Sequence, residues 1–176
     1  MKAIFQEHAS SIYLEKLKVK SKNVLVVENN LDDLESMKTL FRGLPYNCIY
    51  CTSADEAFSI LGKVKIDIVI ASLHLSGIDG IQFIRIVNWL NPTCVRILLK
   101  NFNQRHCYRE LMSVGKVHSF VSKPWNDDFF MKSVISACQF SDKQAEIQKK
   151  SNGLNDKDSC ISLHSNFNQK VANRLL

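Results

Sequence analysis

The stretch DIVIASLHLSGIDG, residues 67–80, contains an apolar run, a turn and the first residues of a helix. A short apolar run bounded by turn residues predicts a buried strand. IDIVIAS, residues 66–72, is the most apolar strand candidate of the chain, which predicts a central position in a sheet covered on both faces. Asp79-Gly80 is interpreted as the start of the following helix. Ser72 then stands at the carboxyl end of the strand.

The same alternation of strand and helix repeats on both sides of this unit. Segments with apolar residues at helical spacing separate the candidate strands, and Ser53 with Glu56 forms a capping-box pattern at one helix start. Five such units predict a doubly wound α/β fold with a five-stranded parallel sheet. The four further strands are predicted at residues 23–28, 47–52, 94–100 and 118–123.

Composition predicts a globular protein, because 45% of the 176 residues are hydrophobic. No apolar run approaches the roughly 20 residues that span a bilayer, and the N-terminal sequence lacks the apolar core of a signal peptide. We therefore expect a cytoplasmic location. Cys48 and Cys51 form the one close pair among six cysteines. They should point to opposite faces of a strand, which favours packed, reduced thiols over a metal site.

The net charge of +6 is concentrated at the two ends of the chain. Residues 1–22 carry five Lys against two Glu, and residues 141–176 carry six basic against four acidic residues. We interpret these ends as extensions of a domain that covers residues 23–140. The charge predicts weak electrostatic contact, with no specific nucleic acid and no membrane as partner.

Polar residues stand where the predicted strands end: Glu28-Asn29, Ser72, Lys100 and Lys123-Pro124. Because parallel strands end at one edge of a sheet, these side chains should lie close together. Together with the order of elements, the stretches LVVENN, DIVIASLHLSGIDG and FVSKPW resemble the receiver domain of two-component response regulators. The resemblance covers residues 23 to about 140 and implies a flavodoxin-like (βα)5 fold.

The resemblance implies a phosphorylation site that this sequence has largely lost. The family's acidic pair falls on Glu28 and Asn29, and its phosphate-accepting aspartate falls on Ser72. Its hydroxyl switch residue falls on Lys100. The family's lysine is present as Lys123, followed by Pro124, and its aromatic switch position is Phe120.

These departures predict that the site holds no metal and no cofactor and has no catalytic residue. Mg²⁺ prefers several oxygen ligands, usually carboxylates, and only Glu28 remains of the three. Ser72 has no evident base to take up its hydroxyl proton, since the sequence offers no third residue to orient His74. We expect Lys100 to pair with Glu28. The alternatives are that Lys100 points into solvent or that Lys100 and Lys123 hold a small anion.

The functional prediction is a non-enzymatic, degenerate receiver, a phosphorylation-independent protein-interaction module of bacterial two-component signalling. By resemblance, its partner surface lies on the fourth helix, fifth strand and fifth helix, with Arg105, Tyr108 and Phe120 as candidates. Partners would be a histidine kinase, an output protein or a second copy. The alternatives are an active phosphotransfer receiver with an acceptor other than aspartate, and an anion- or nucleotide-binding module that uses Lys100 and Lys123.

The extensions carry weaker patterns. The N-terminal residues suggest a short helix or an arm over the domain, and the fifth helix is able to continue through SDKQAEIQKK. Residues 151–159 have the composition of a linker, and CISLHSNFNQKVANRLL, residues 160–176, is able to form one amphipathic helix.

Overall fold

Strands and helices alternate along residues 21–101 and 117–152, which are the residues that this computed structural model describes. The predicted fourth helix (residues 103–115), most of the N-terminal extension and residues 153–176 lie outside them. Helix α4 is the predicted fifth helix. The elements are β1 Lys22–Val27, α1 Leu31–Phe41, β2 Tyr46–Cys51, α2 Ala54–Leu61, β3 Ile68–Ser72, α3 Gly80–Leu90, β4 Val95–Asn101, β5 Ser119–Lys123 and α4 Asp127–Asn152.

The five strands form one parallel sheet in the order β2-β1-β3-β4-β5. Strand β3 occupies the centre, and all five of its residues are buried. This confirms the fold class and the central position that the apolar run predicted. Since every strand runs in the same direction, all five carboxyl ends meet at one edge of the sheet.

Each face of the sheet has its own apolar core, because successive strand residues point to opposite sides. On one face, Val24 and Val26 pack with residues of α1 and α4. On the other face, Leu25 and Val27 pack with residues of α2 and α3. Cys48 contacts the first core, whereas Cys51 belongs to the second, so this pair lies on opposite faces as predicted. Burial raises the pKa of the Cys51 thiol to about 12, which keeps it protonated.

The predicted helix starts are formed by capping side chains. Ser53 accepts a hydrogen bond from the backbone N–H of Glu56 at 3.3 Å, and Asp79 accepts one from that of Ile81 at 2.7 Å. The helix interpretation of Asp79-Gly80 is therefore confirmed. Gly80 also allows a close approach, since a Cβ there would lie 2.2 Å from the carbonyl oxygen of Ser72. The helix and the end of β3 are thus packed directly against each other.

Helix α4 continues past the predicted domain boundary at residue 140 and is tied to the start of β1. The Lys22 ammonium lies 2.8 Å from a carboxylate oxygen of Asp142 and donates to the Ser141 hydroxyl at 3.1 Å. Lys22 is 6% exposed. None of the helices in the described ranges combines the length and the apolar content of a membrane-spanning segment.

His118 links β5, β4 and α4 at the sheet edge opposite the carboxyl ends. Its Nδ1 accepts a hydrogen bond from the backbone N–H of Arg96 at 3.0 Å, and its ring centroid lies 4.8 Å from that of Phe140. Burial, aided by the Arg96 charge, lowers the pKa of His118 from 6.5 to about 4. The folded chain therefore holds this imidazole neutral under conditions in which the unfolded chain protonates it.

This shift predicts a pH-dependent contribution to stability. Above pH 6.5 His118 is neutral in both states, and its contribution is fully present. As the pH falls from 6.5 to about 4, only the unfolded state takes up the proton, so the free energy of unfolding falls. The free energy of unfolding then changes by at most about 1.4 kcal/mol per pH unit. Urea unfolding between pH 7 and 4 measures it.

His118→Asn keeps an acceptor near the Nδ1 position but does not titrate, so we expect a flatter pH profile than that of the wild type. His74→Asn, at an exposed position, is the matched control and should retain the wild-type slope. Parallel profiles for the wild type and His118→Asn would show that the buried imidazole is not the source of the slope.

Candidate functional site

The carboxyl edge of the sheet brings most of the predicted site residues together around one polar cleft. The cleft has a volume of about 350 Å³. It is lined by Glu28, Asn29, Asn30, Asp33, Ser72, His74, Asn101 and Lys123. Lys100 is instead buried at 6% exposure, which contradicts the alternative that it points into solvent.

Lys123, at the end of β5, makes the central contacts of the cleft. Its ammonium donates to Glu28 Oε2 in a short, charged hydrogen bond and lies 3.0 Å from Asp33 Oδ2. A third acceptor, Ser72 Oγ, lies 3.3 Å away. Three oxygens from three different parts of the fold therefore surround this ammonium.

Glu28 is fixed by its own loop as well as by Lys123. Its carboxylate is fully buried. Oε1 accepts a hydrogen bond from the backbone N–H of Asn30 at 2.9 Å. Asn30 in turn caps α1 by accepting from the backbone N–H of Asp33 at 3.0 Å. The loop between β1 and α1 therefore fixes the Glu28 carboxylate, and Asn30 fixes the start of the helix that carries Asp33.

The predicted pairing of Glu28 with Lys100 is wrong, because Glu28 is paired with Lys123. The strand register gives the physical reason. Strand β4 runs one residue beyond its predicted end, to Asn101, and Asn101 is the residue opposite Lys123, while Lys100 is opposite Ser122. Neighbouring strand residues point to opposite faces. Asn101 consequently lines the cleft and Lys100 does not.

Asp33 is the site residue that the sequence interpretation missed. Asp33 lies in the first turn of α1, where the helix dipole favours negative charge in any case. The available signal was its place in the first turn of α1, directly after the loop that follows β1. With Asp33 included, the cleft has two carboxylates against the one ammonium of Lys123.

Ser72 lies at the floor of the cleft and is 4% exposed. The residue after it is held in place, since the backbone N–H of Leu73 donates to the carbonyl of Leu99 at 2.7 Å. The contact of Ser72 with Lys123 does not activate it, because an ammonium has no lone pair with which to accept the hydroxyl proton. His74, in the following loop, is exposed and lines the cleft.

Two of the remaining predicted residues fall within the described ranges. Phe120 is half-buried on β5 and packs against the core formed with α2 and α3. Pro124 follows Lys123 at an exposed position. Arg105 and Tyr108 lie outside the described residues. The partner surface that these residues were expected to form stays a prediction.

The sequence model of the response regulator receiver domain matches residues 24–135. The chain belongs to this family. Receiver domains are signalling modules that interact with kinases and output domains. The five-stranded parallel fold of this receiver domain agrees with that family.

Curated relatives include two transcriptional regulators. The chain is 24% identical over 132 residues to the hydrogenase transcriptional regulatory protein HoxA of Cupriavidus necator, covering 74% of this chain and 27% of HoxA. It is 22% identical over 115 residues to the transcriptional regulatory protein ZraR of Salmonella typhimurium, covering 65% of this chain and 26% of ZraR. The chain thus spans about a quarter of the length of these relatives.

Solved structures show the same fold. The signal receiver domain of an HD domain-containing protein from Pseudomonas fluorescens Pf-5 has a TM-score of 0.67 and 23% sequence identity. The match covers 70% of this chain and 99% of that domain. At this identity the likeness concerns the fold alone, and the chemistry of the cleft depends on the residues present here.

The geometry predicts that removal of the Glu28 charge and removal of the Asp33 charge lower the free energy of unfolding by different amounts. Glu28→Gln removes one partner of a buried pair and should lower the free energy of unfolding by roughly 3–5 kcal/mol. Asp33 is 32% exposed, so Asp33→Asn should cost only about 0–1 kcal/mol. Asp32→Asn, at an exposed position in the same helical turn, is the control. Urea unfolding of the three variants gives these values.

A double-mutant cycle of Glu28→Gln with Lys123→Met isolates the pair. We expect a coupling energy above about 1 kcal/mol, because the two groups share a buried hydrogen bond. Independent, additive effects of the two substitutions would contradict the pairing.

Proposed function

We propose that this receiver domain is degenerate and acts without phosphorylation, as a non-enzymatic protein-interaction module in two-component phosphorelay signalling. The observation that carries the proposal is that the ammonium of Lys123, in the cleft, already contacts groups of the same chain. The Lys123 ammonium donates hydrogen bonds to Glu28 and Ser72 and forms an ion pair with Asp33. The group that would bind an incoming phosphoryl oxygen is therefore already engaged.

Phosphoryl transfer to this site lacks its nucleophile. A carboxylate at the end of β3 would be able to accept a phosphoryl group directly, but Ser72 offers a hydroxyl that must first lose a proton. Its hydrogen-bonded neighbour, Lys123, is a donor. This supports the non-enzymatic proposal over an active receiver with an acceptor other than aspartate.

The residues of the cleft do not fit the Mg²⁺ ion that the family implies. Mg²⁺ demands near-octahedral oxygen coordination, yet both oxygens of Glu28 accept hydrogen bonds from within the chain. Asp33 Oδ2 contacts the same ammonium. No group of three or more potential metal-ligating His, Cys, Asp or Glu residues occurs within the described ranges. We infer that Lys123 takes the place of the cation between the two carboxylates and that no cofactor is required.

The same contacts argue against the anion- or nucleotide-binding alternative. An anion bound by Lys123 would have to displace Glu28 or Asp33 and would then face an unpaired carboxylate. Leaving the buried Glu28 charge without its partner carries a large cost. The cleft is therefore unsuited to small anions.

A closed cleft favours one fixed conformation and hence a constant binding surface. The proposed partners are proteins, such as a histidine kinase or an output protein, or a second copy bound through the face that includes β5 and α4. Phe120 is the described candidate on that face. We place this interaction in the cytoplasm, and the four described cysteines, which are free thiols, support a reducing compartment.

Incubation with acetyl phosphate and Mg²⁺ tests the proposal. The intact mass of the wild type should stay unchanged, because the acceptor and the metal ligands are missing. The triple variant Ser72→Asp, Asn29→Asp, Asn101→Thr is designed to restore the acceptor, the acidic pair and a hydroxyl at the cleft. An active receiver of another chain serves as the positive control. A phosphoryl adduct on residues 70–80 of the wild type would instead support the active-receiver alternative.

A further inference from the structure

The solvent-facing side of helix α4 repeats one pair of residue types three times. Each exposed large apolar side chain is followed three positions later by an exposed lysine. The apolar members, Phe129, Phe140 and Ile147, are 55%, 41% and 61% exposed, respectively. The basic members are Lys132, Lys143 and Lys150. We call these six residues the α4 ridge.

The six side chains form two parallel lines along the helix. At about 100° per residue, the three apolar side chains lie within roughly 20° of one line, and the three lysines lie roughly 60° to one side of it. The spacings are identical in both lines, 11 residues and then 7 residues. At 1.5 Å per residue, the ridge is about 32 Å long. The helix therefore presents an apolar seam with a basic flank.

The ridge runs from the domain onto the part of α4 that extends beyond it. Phe140 packs beside His118, next to β5. Ile147 lies past Ser141, the last buried residue in the described part of the helix. The ion pairs among the described residues involve other lysines and none of the three in the basic flank. Both lines are thus open to a partner.

We propose that the α4 ridge binds an acidic amphipathic helix of a partner protein. This inference rests on the proposed function, because it names the chemistry of the protein partner. Where two helices pack along an apolar seam, charged residues that flank the seam select the partner by opposite charge. Apolar side chains of the partner cover the seam, and its Asp or Glu side chains pair with the basic flank. A helix of about 22 residues matches the length of the ridge.

The size of the ridge determines the kind of complex. Three partly exposed apolar side chains provide only part of the roughly 800 Å² that each partner buries in a standard interface. The ion pairs would be exposed, so salt weakens them. The complex is therefore transient and sensitive to salt.

A second copy of the chain and a membrane are poorer occupants. Two α4 helices packed antiparallel on the seam would place their basic flanks side by side, and parallel packing would offer neither flank an acid. Exposed Asp128 and Glu146 border the basic flank on the side away from the seam, which weakens attraction to anionic lipids. The seam is also only one residue wide, whereas helices that lie in a membrane surface bury a broad apolar face.

Fluorescence anisotropy with a designed peptide tests the proposal on the full chain. The probe is a helix of about 22 residues with a leucine seam flanked by glutamates, and its counterpart carries lysine in place of each glutamate. The wild type should bind the glutamate peptide and not the lysine peptide. Its affinity should fall as the ionic strength rises from about 0.01 to 0.15 M, because the Debye length shrinks from roughly 30 to 8 Å.

Charge reversal shows whether the ridge is the binding site. The triple variant Lys132→Glu, Lys143→Glu, Lys150→Glu should lose at least about tenfold in affinity for the glutamate peptide and should bind the lysine peptide instead. The matched control should bind as the wild type does. It reverses three exposed charges outside α4, namely Arg42→Glu, Lys63→Glu and Lys65→Glu.

A single substitution tests the seam. Ile147→Ser should lower the affinity for the glutamate peptide by about tenfold, because it removes an apolar side chain that the partner buries. Ala145→Ser, at an exposed position on another side of the helix, should leave the affinity unchanged. Circular dichroism checks that both variants keep their helical content.

Equal losses in the two charge-reversal variants would overturn the proposal, since net charge alone would then explain the binding. Binding to phosphatidylglycerol vesicles without affinity for the glutamate peptide would assign the ridge to a membrane. Self-association that Ile147→Ser abolishes would assign it to a second copy, and both results would reject the acidic helix. Acetyl phosphate treatment is a separate test: an adduct would refute the degenerate function, whereas absent peptide binding without an adduct rejects this partner alone.

Discussion

A single ammonium group organises the carboxyl edge of this receiver domain. Lys123 joins the ends of β1 and β3 and the first turn of α1 through Glu28, Ser72 and Asp33. The buried Glu28 carboxylate in particular would be costly to leave alone, and it obtains its partner from this side chain. Lys123 thus satisfies charges that belong to the fold itself.

The fold was predictable because each element has a local sequence signal. The apolar run of β3 indicated the central strand, and Ser53 and Asp79 marked helix starts that the structure confirms. Two apolar faces per strand follow from the alternation of side chains. These signals depend on near neighbours in the chain, and so they can be interpreted without knowledge of the tertiary contacts.

The details of the cleft were less predictable because they depend on strand ends and side-chain reach. One additional residue in β4 places Asn101 rather than Lys100 at the cleft. Asp33 enters the site only because Lys123 is long enough to contact α1 from β5. Glu28 and Lys123 are 95 residues apart in sequence. No local pattern encodes which of two lysines meets a carboxylate across that separation.

The contact of Lys22 with Ser141 and Asp142 has a consequence for the order in which the domain is completed during synthesis. Lys22 leaves the ribosome before its partners, and Ser141 follows 119 residues later. Until then the ammonium must remain hydrated, and the first strand cannot bury its amino end at low cost. The last helix therefore closes the nascent domain at the same edge where the first strand began it, so that folding is completed as a unit.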